Sequence, residues 1–106
     1  MPTPDQRLQA IEAMIAKKPD DPFAHYARAM ALRSADQKEA ALEAFRGVAE
    51  RFPDYVPTYL MAAQLAADLA RPADARALAE RGAERAAKAG DGHALSELRT
   101  FLGTLS

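Results

Sequence analysis

Apolar residues recur along this chain at three- and four-residue intervals, and prolines or acidic turn residues interrupt the pattern often enough to mark six helices. Leu8, Ile11, Met14 and Ile15 form the first stripe. It opens on Thr3-Pro4-Asp5-Gln6, where the Thr3 hydroxyl can accept from an orphan amide, Pro4 suits the first helical position and Gln6 can reach back, so a helix is predicted over 4–18. Two prolines in Pro19-Asp20-Asp21-Pro22 forbid continuation, and Asp21 with Pro22 begins a second helix over 22–34, marked by Phe23, Tyr26, Ala27, Met30 and Ala31. After the turn Ser34-Ala35-Asp36, Asp36 is expected to cap a third helix over 37–52, with Glu39 completing a capping box. Ala41, Leu42, Phe45, Val48, Ala49 and Phe52 mark its buried face. Pro53-Asp54 breaks the chain again and a fourth helix follows over 57–69. A long alanine-rich helix is predicted over 72–89. Its one interruption, Gly82, would permit close helix contact at a propensity cost of about 1 kcal/mol. Gly90-Asp91-Gly92 closes it, and Asp91 caps a sixth helix with Leu95, Leu98, Phe101 or Leu102, and Leu105 on one side. Connections this short make consecutive helices antiparallel.

The punctuation repeats. Pro19-Asp20 recurs as Pro53-Asp54, and at the same offset Leu8 matches Leu42, Ile11 matches Phe45, Met14 matches Val48, Ala29 matches Ala63 and Ala41 matches Ala75. Two helices per period of that length, with Ala41, Phe45 and Pro53 at their spacing, resemble the tetratricopeptide repeat. From 22 to 55, His25 takes the aromatic slot, Ala29 the small slot and Leu32 the large one. From 56 the match is looser: Tyr59, Ala63 and Ala75 fit, while Ala79 replaces the aromatic and Ala87 the proline, so the second helix of that unit should run long. The expected architecture is an all-α, helix-turn-helix repeat solenoid of about six antiparallel helices. It would comprise an N-terminal half repeat (4–18), two repeats (22–55 and 56–89) and a C-terminal capping helix (92–105). Ala29, Ala41, Ala63 and Ala75 would sit where paired helices approach closely, and Leu32, Phe45 and Val48 would fill the space between repeats. Arg28 departs from the apolar residue usual at its slot, which requires its stem to lie along the core with its head in solvent.

The resemblance implies a non-catalytic protein-protein interaction module binding a peptide or helical segment in a concave groove on the first helix of each repeat. Mapped residue by residue, the groove comprises Phe23, Tyr26, Met30 and Arg33 from the first repeat and Leu60, Met61, Gln64 and Asp68 from the second. Some relatives clamp a terminal carboxylate with lysine and asparagine. Tyr26 and Met30 stand at those positions here, so an apolar strip is expected instead, where methionine and aromatic side chains adapt to varied shapes. The same stripe can equally be core, or lie under the last helix. The alternative function is a homodimeric scaffold that buries an exposed terminal repeat face.

Composition narrows the chemistry. At 106 residues there is room for one domain, and fourteen basic against fifteen acidic side chains give a net charge of −1, which offers no broad attraction to nucleic acid or anionic membrane. There is no cysteine, hence no disulfide or thiolate metal site. No apolar targeting segment is read at the start of the sequence, so a cytoplasmic location is expected. His25 and His93 lie in different segments with no acidic residue spaced as a second ligand, so no metal, cofactor or catalytic residue is expected. Arg71, Arg76, Arg81 and Arg85 could form a basic ridge, but Asp74, Glu80 and Glu84 interleave and make it a solvated, salt-bridged face.

Overall fold

The computed structural model describes residues 3–105, which form α1 (Pro4–Lys17), α2 (Pro22–Ser34), α3 (Lys38–Arg51), α4 (Pro57–Asp68), α5 (Pro72–Ala89) and α6 (Gly92–Thr104). Local chemistry fixes most of the starts. The Thr3 hydroxyl accepts from the Gln6 amide at 3.1 Å while the Gln6 side chain accepts from the Thr3 amide at 2.9 Å, closing the capping box of α1. Asp21 accepts from the Phe23 amide at 3.0 Å, Asp91 from the Ala94 amide at 3.0 Å, and Pro4, Pro22, Pro57 and Pro72 lie in first turns.

The expected cap of α3 is not formed. Gln37 precedes that helix without a side-chain bond, because Asp36 is already engaged in ending α2. Asp36 takes a left-handed φ of 61°, its amide donates to the Arg33 carbonyl, and the Gln37 amide donates to Leu32, both at 3.0 Å. This is a Schellman closure, which satisfies two orphan carbonyls. Ala70, one period further along at φ 58°, ends α4 the same way, with Ala70 donating to Ala67 and Arg71 to Ala66. Gly90, at φ 72°, ends α5. Alanine in the left-handed region carries a Cβ penalty of roughly 1–2 kcal/mol, partly offset by the greater freedom glycine would have unfolded. Ala70→Gly is therefore expected to stabilise the protein by about 0.5–1 kcal/mol, and a urea midpoint that falls instead would contradict this reading of the turn.

The helices stack in order: α2 pairs with α3, α4 with α5, α1 lies on α2, α3 on α4, and α6 runs along α5 and touches α4. This is a helix-turn-helix repeat solenoid with no strand among the described residues. Ala29, Ala41, Ala63 and Ala75 are all fully buried, as the close approach of paired helices requires, and Leu32, Phe45 and Val48 fill the spaces around them. The second pair solves its packing differently. Tyr59 is fully buried, its hydroxyl donating to the Pro53 carbonyl at 2.5 Å, and a Cβ on Gly82 would stand only 2.4 Å from the Tyr59 Cβ. Where the first pair places His25 and Val48, the second therefore places a larger ring and a bare backbone. The buried Thr58 hydroxyl donates to the Phe45 carbonyl at 3.1 Å, tying α4 to α3 without an unpaired polar atom.

Polar staples repeat with the same period. Arg51 meets Asp20 at 2.9 Å and Arg85 meets Asp54 at 3.0 Å, each pair joining the second helix of a hairpin to the turn before its first helix. Exposed as these carboxylates are, each pair contributes little stability and acts chiefly to set register. Among the described residues no helix is long and apolar enough to cross a membrane.

Candidate functional site

Phe23, Tyr26 and Met30 recur on one side of α2 and line a shallow groove of about 270 Å³, together with Ala27, Ala31 and Ser34 of the same helix and Arg7 and Ile11 of α1. Phe23, at its lip, is 56% exposed and with Met14 is one of two large apolar side chains open to solvent among the described residues. Tyr26 has two roles. It packs edge-on against Phe45 with centroids 5.8 Å apart and against Tyr55 at 5.4 Å, and its remaining surface faces the groove. Burial pushes its phenol above the usual tyrosine value, with the Arg33 charge acting in the opposite sense.

Arg33 is exposed and its guanidinium reaches the Met61 sulfur at 3.7 Å, linking the end of α2 to α4. Leu60 and Met61 are half-buried against the core, and Gln64 and Asp68 are exposed further along α4. The eight residues named from the sequence thus fall into a cluster on α2 that lines the groove with Arg33 beside it, and a strip on α4 outside that groove with Gln64 and Asp68 exposed, joined through Arg33 and Met61. The sequence reading omitted Arg7 and Ile11, which supply the second wall of the groove. Their positions, one period before Ala41 and Phe45, carried the signal.

On the opposite side of α2 a larger cleft of about 480 Å³ is lined by His25, Arg28, Glu43, Gly47, Arg51 and Phe52, among others. Both of its arginines have ion-pair partners. Arg28 pairs with Glu12 at 3.9 Å, Arg51 with Asp20 at 2.9 Å, and the His25 Nε2 lies 2.7 Å from the Pro19 carbonyl, with the ring 5.5 Å from Phe52. As anticipated, the Arg28 head reaches partly into solvent.

The histidine reading needs one correction. Glu97 follows His93 by one helical turn and approaches its Nε2 to 2.9 Å, so an acidic neighbour is present after all. The pair is exposed at the surface of α6, and i,i+4 spacing on one helix accounts for it. Of the arginines of this ridge only Arg76 pairs with an interleaved carboxylate, Glu80 at 3.9 Å; Arg71 and Arg85 take Glu39 at 2.5 Å and Asp54 at 3.0 Å from other elements, Asp74 pairs with Arg46 and Glu84 with Lys88, and Arg81 lies 5.7 Å from the centre of the Tyr59 ring.

The three tyrosines of the protein also set a pH response. Burial is the leading cause of the raised pKa of Tyr26, Tyr55 and Tyr59. An acid whose pKa is higher folded than unfolded holds its proton better in the native state. That stabilisation is complete below the unfolded tyrosine value of about 10 and is lost as pH rises above it. Tyr59→Phe should reduce the steepness of the stability loss between about pH 9 and pH 11, measured by urea denaturation. An unchanged slope would contradict the buried placement of that phenol.

Antiparallel helix pairs stacked at a fixed period, with small residues at the crossings, define a helical-repeat protein. Comparison with solved structures narrows the class. The solution structure of a tetratricopeptide repeat domain protein from Salinibacter ruber is 35% identical over 84% of this chain and 90% of its own, with a TM-score of 0.79. A crystal structure of a tetratricopeptide repeat domain protein from the same organism gives 35% identity over 80% and 94%, with a TM-score of 0.76. A protein of Bordetella parapertussis superposes at 0.77, with 26% identity over 92% of this chain and 85% of its own. No protein-family model and no curated protein matches the sequence. The chain belongs to the tetratricopeptide-repeat family, whose fold is generally a non-catalytic protein-interaction module.

Proposed function

We propose that this protein binds a peptide or helical segment of a partner protein along the face built by α2 and α4, and that it does no covalent chemistry. On this reading the chain divides into a half repeat (4–18), repeats 22–55 and 56–89, and a capping helix over 92–105. Phe23, Tyr26, Met30, Arg33, Leu60, Met61, Gln64 and Asp68 form the contact surface. The carrying observation is the exposed Phe23 ring at the mouth of an apolar groove whose floor is already rigid, because Tyr26 is braced by Phe45 and Tyr55. Braced aromatic side chains give contact area at little entropic cost, which is why such residues dominate binding energy. The opposite cleft, though larger, is rimmed by Arg28, Glu43 and Arg51 and offers no apolar ring as exposed as Phe23.

Selection from a displayed random-peptide library against the intact chain tests this. Selected peptides should lose about tenfold or more in affinity against Phe23→Ala and Met30→Glu, and little against Glu43→Ala in the opposite cleft. The reverse pattern would move the site to the other side of α2.

A further inference from the structure

The face of α1 matching the buried face of α3 is uncovered. On α3, Ala41, Phe45 and Val48 are 0%, 0% and 2% exposed beneath α2. Their counterparts one period earlier are Arg7, Ile11 and Met14, of which Arg7 is exposed, Ile11 is half-buried and Met14 is 46% exposed. No residue of α1 is fully buried, since the helix packs chiefly on α2. The groove between Ile11 and the Phe23, Tyr26 and Met30 side of α2 therefore lies where a helix would stand if α1 had a partner as α3 has α2.

We propose that this is the seat of one helix from a partner protein, apolar along one side and carrying a carboxylate just ahead of its N-terminus, which completes with α1 the pair that α2 makes with α3. The charge requirement comes from the staples. Arg51 on α3 takes Asp20, two residues before α2 begins, and Arg85 on α5 takes Asp54, three residues before α4 begins. Lys17 occupies the same position on α1, and among the described residues no carboxylate lies within ion-pair distance of it. An antiparallel helix seated as α2 is seated would bring its leading acid to Lys17 and its far end to Arg7. The seated length is bounded by α1, fourteen residues or about 21 Å, so three to four turns suffice.

A second copy of this chain fits poorly. Arg7, Lys17 and Lys18 surround the apolar pair Ile11 and Met14, while Asp5 lies around the helix from them and Glu12 is held by Arg28 at 3.9 Å, so two such faces repel. The outward side of α6 offers His93, Ser96, Glu97, Arg99 and Thr100, all exposed and none able to fill an apolar seat.

The inference rests on the Phe23–Met30 side being a binding surface, but Met14 and Lys17 belong to the seat alone, and Leu60 and Gln64 to the longer groove alone. The probe is a fluorescent synthetic peptide of residues 20–36, the segment that plays this part on α3, titrated at low salt by anisotropy. Saturable binding is expected, weakened about tenfold or more by Met14→Glu and about threefold by Lys17→Glu, and changed less than about twofold by Leu60→Ala and Gln64→Ala. The peptide carrying Asp20→Lys should recover affinity on the Lys17→Glu protein. Met14 and Lys17 are exposed, so both variants should fold, which circular dichroism verifies. Absence of saturable binding, or binding indifferent to Met14 and Lys17, overturns the seat. Weakening by Leu60→Ala and Gln64→Ala alone overturns it while leaving the longer groove standing. A wild-type dimer in sedimentation that Met14→Glu dissolves would also overturn it, by giving the face to a second copy.

Discussion

Phe45→Ala is expected to destabilise the protein by about 3–5 kcal/mol, read as a fall in the urea midpoint at unchanged slope. The ring is fully buried at the junction of three elements: α2 through its edge contact with Tyr26 at 5.8 Å, its own α3, and α4 through the Thr58 bond to its carbonyl. Truncation leaves a cavity that stiff neighbouring helices cannot collapse into. Against a total of about 5–15 kcal/mol for a domain, the loss would unfold a substantial fraction of a marginal molecule. It would also free Tyr26 from one of its two braces, so binding should suffer in whatever protein remains folded. A loss below about 1 kcal/mol would mean that Phe45 is not the central wedge of the stack.

Gly82→Ala is the second large effect, and its sign is set by space rather than propensity. In an open helix the change would stabilise by about 1 kcal/mol. Here the new methyl would stand 2.4 Å from the Tyr59 Cβ and 3.2 Å from a Leu98 methyl. The Tyr59 Cβ is fixed to its own backbone and cannot swing aside, so α4 and α5 must separate. A net destabilisation of about 1–3 kcal/mol is expected. Gly47 on α3 is the internal control, because a Cβ there meets nothing within 4 Å. Gly47→Ala should raise stability by up to about 1 kcal/mol, so the same substitution acts with opposite signs on two helices. Equal effects at the two positions would contradict the close approach of α4 and α5.

How much of this was legible beforehand can be judged from individual residues. Pro4, Pro22, Pro57 and Pro72 cannot stand in a helix interior, so the starts were readable, as were Thr3, Asp21 and Asp91 as caps. The loss of aromatic and proline at Ala79 and Ala87 correctly foretold a long α5, which spans eighteen residues. Asp36 was misread because an aspartate before a helix looks like a cap, whereas the preceding helix needed a left-handed residue at that point and took it first. Gly82 could be read as a close approach, but which ring filled the space could not, since that depends on Tyr59 from the neighbouring helix.

At the candidate site, periodicity put Phe23, Tyr26 and Met30 on one side of α2. It could not divide the Tyr26 ring between Phe45, Tyr55 and the groove, because partial burial is a tertiary property. The α1 wall escaped attention because Arg7 breaks the small-residue pattern that Ala41 keeps. Its departure makes sense where no helix of the described chain covers it.

The partner surface proposed above is the α2 and α4 face, not the larger cleft behind it. The most direct measurement is a two-dimensional amide NMR titration of the labelled protein with a library-selected peptide. Shift changes are expected to concentrate at Phe23, Tyr26, Met30, Arg33, Met61 and Gln64, with small changes at Arg28, Glu43 and Gly47. Changes centred on Arg28, Glu43 and Gly47, with the Phe23 and Met30 amides unmoved, would contradict it.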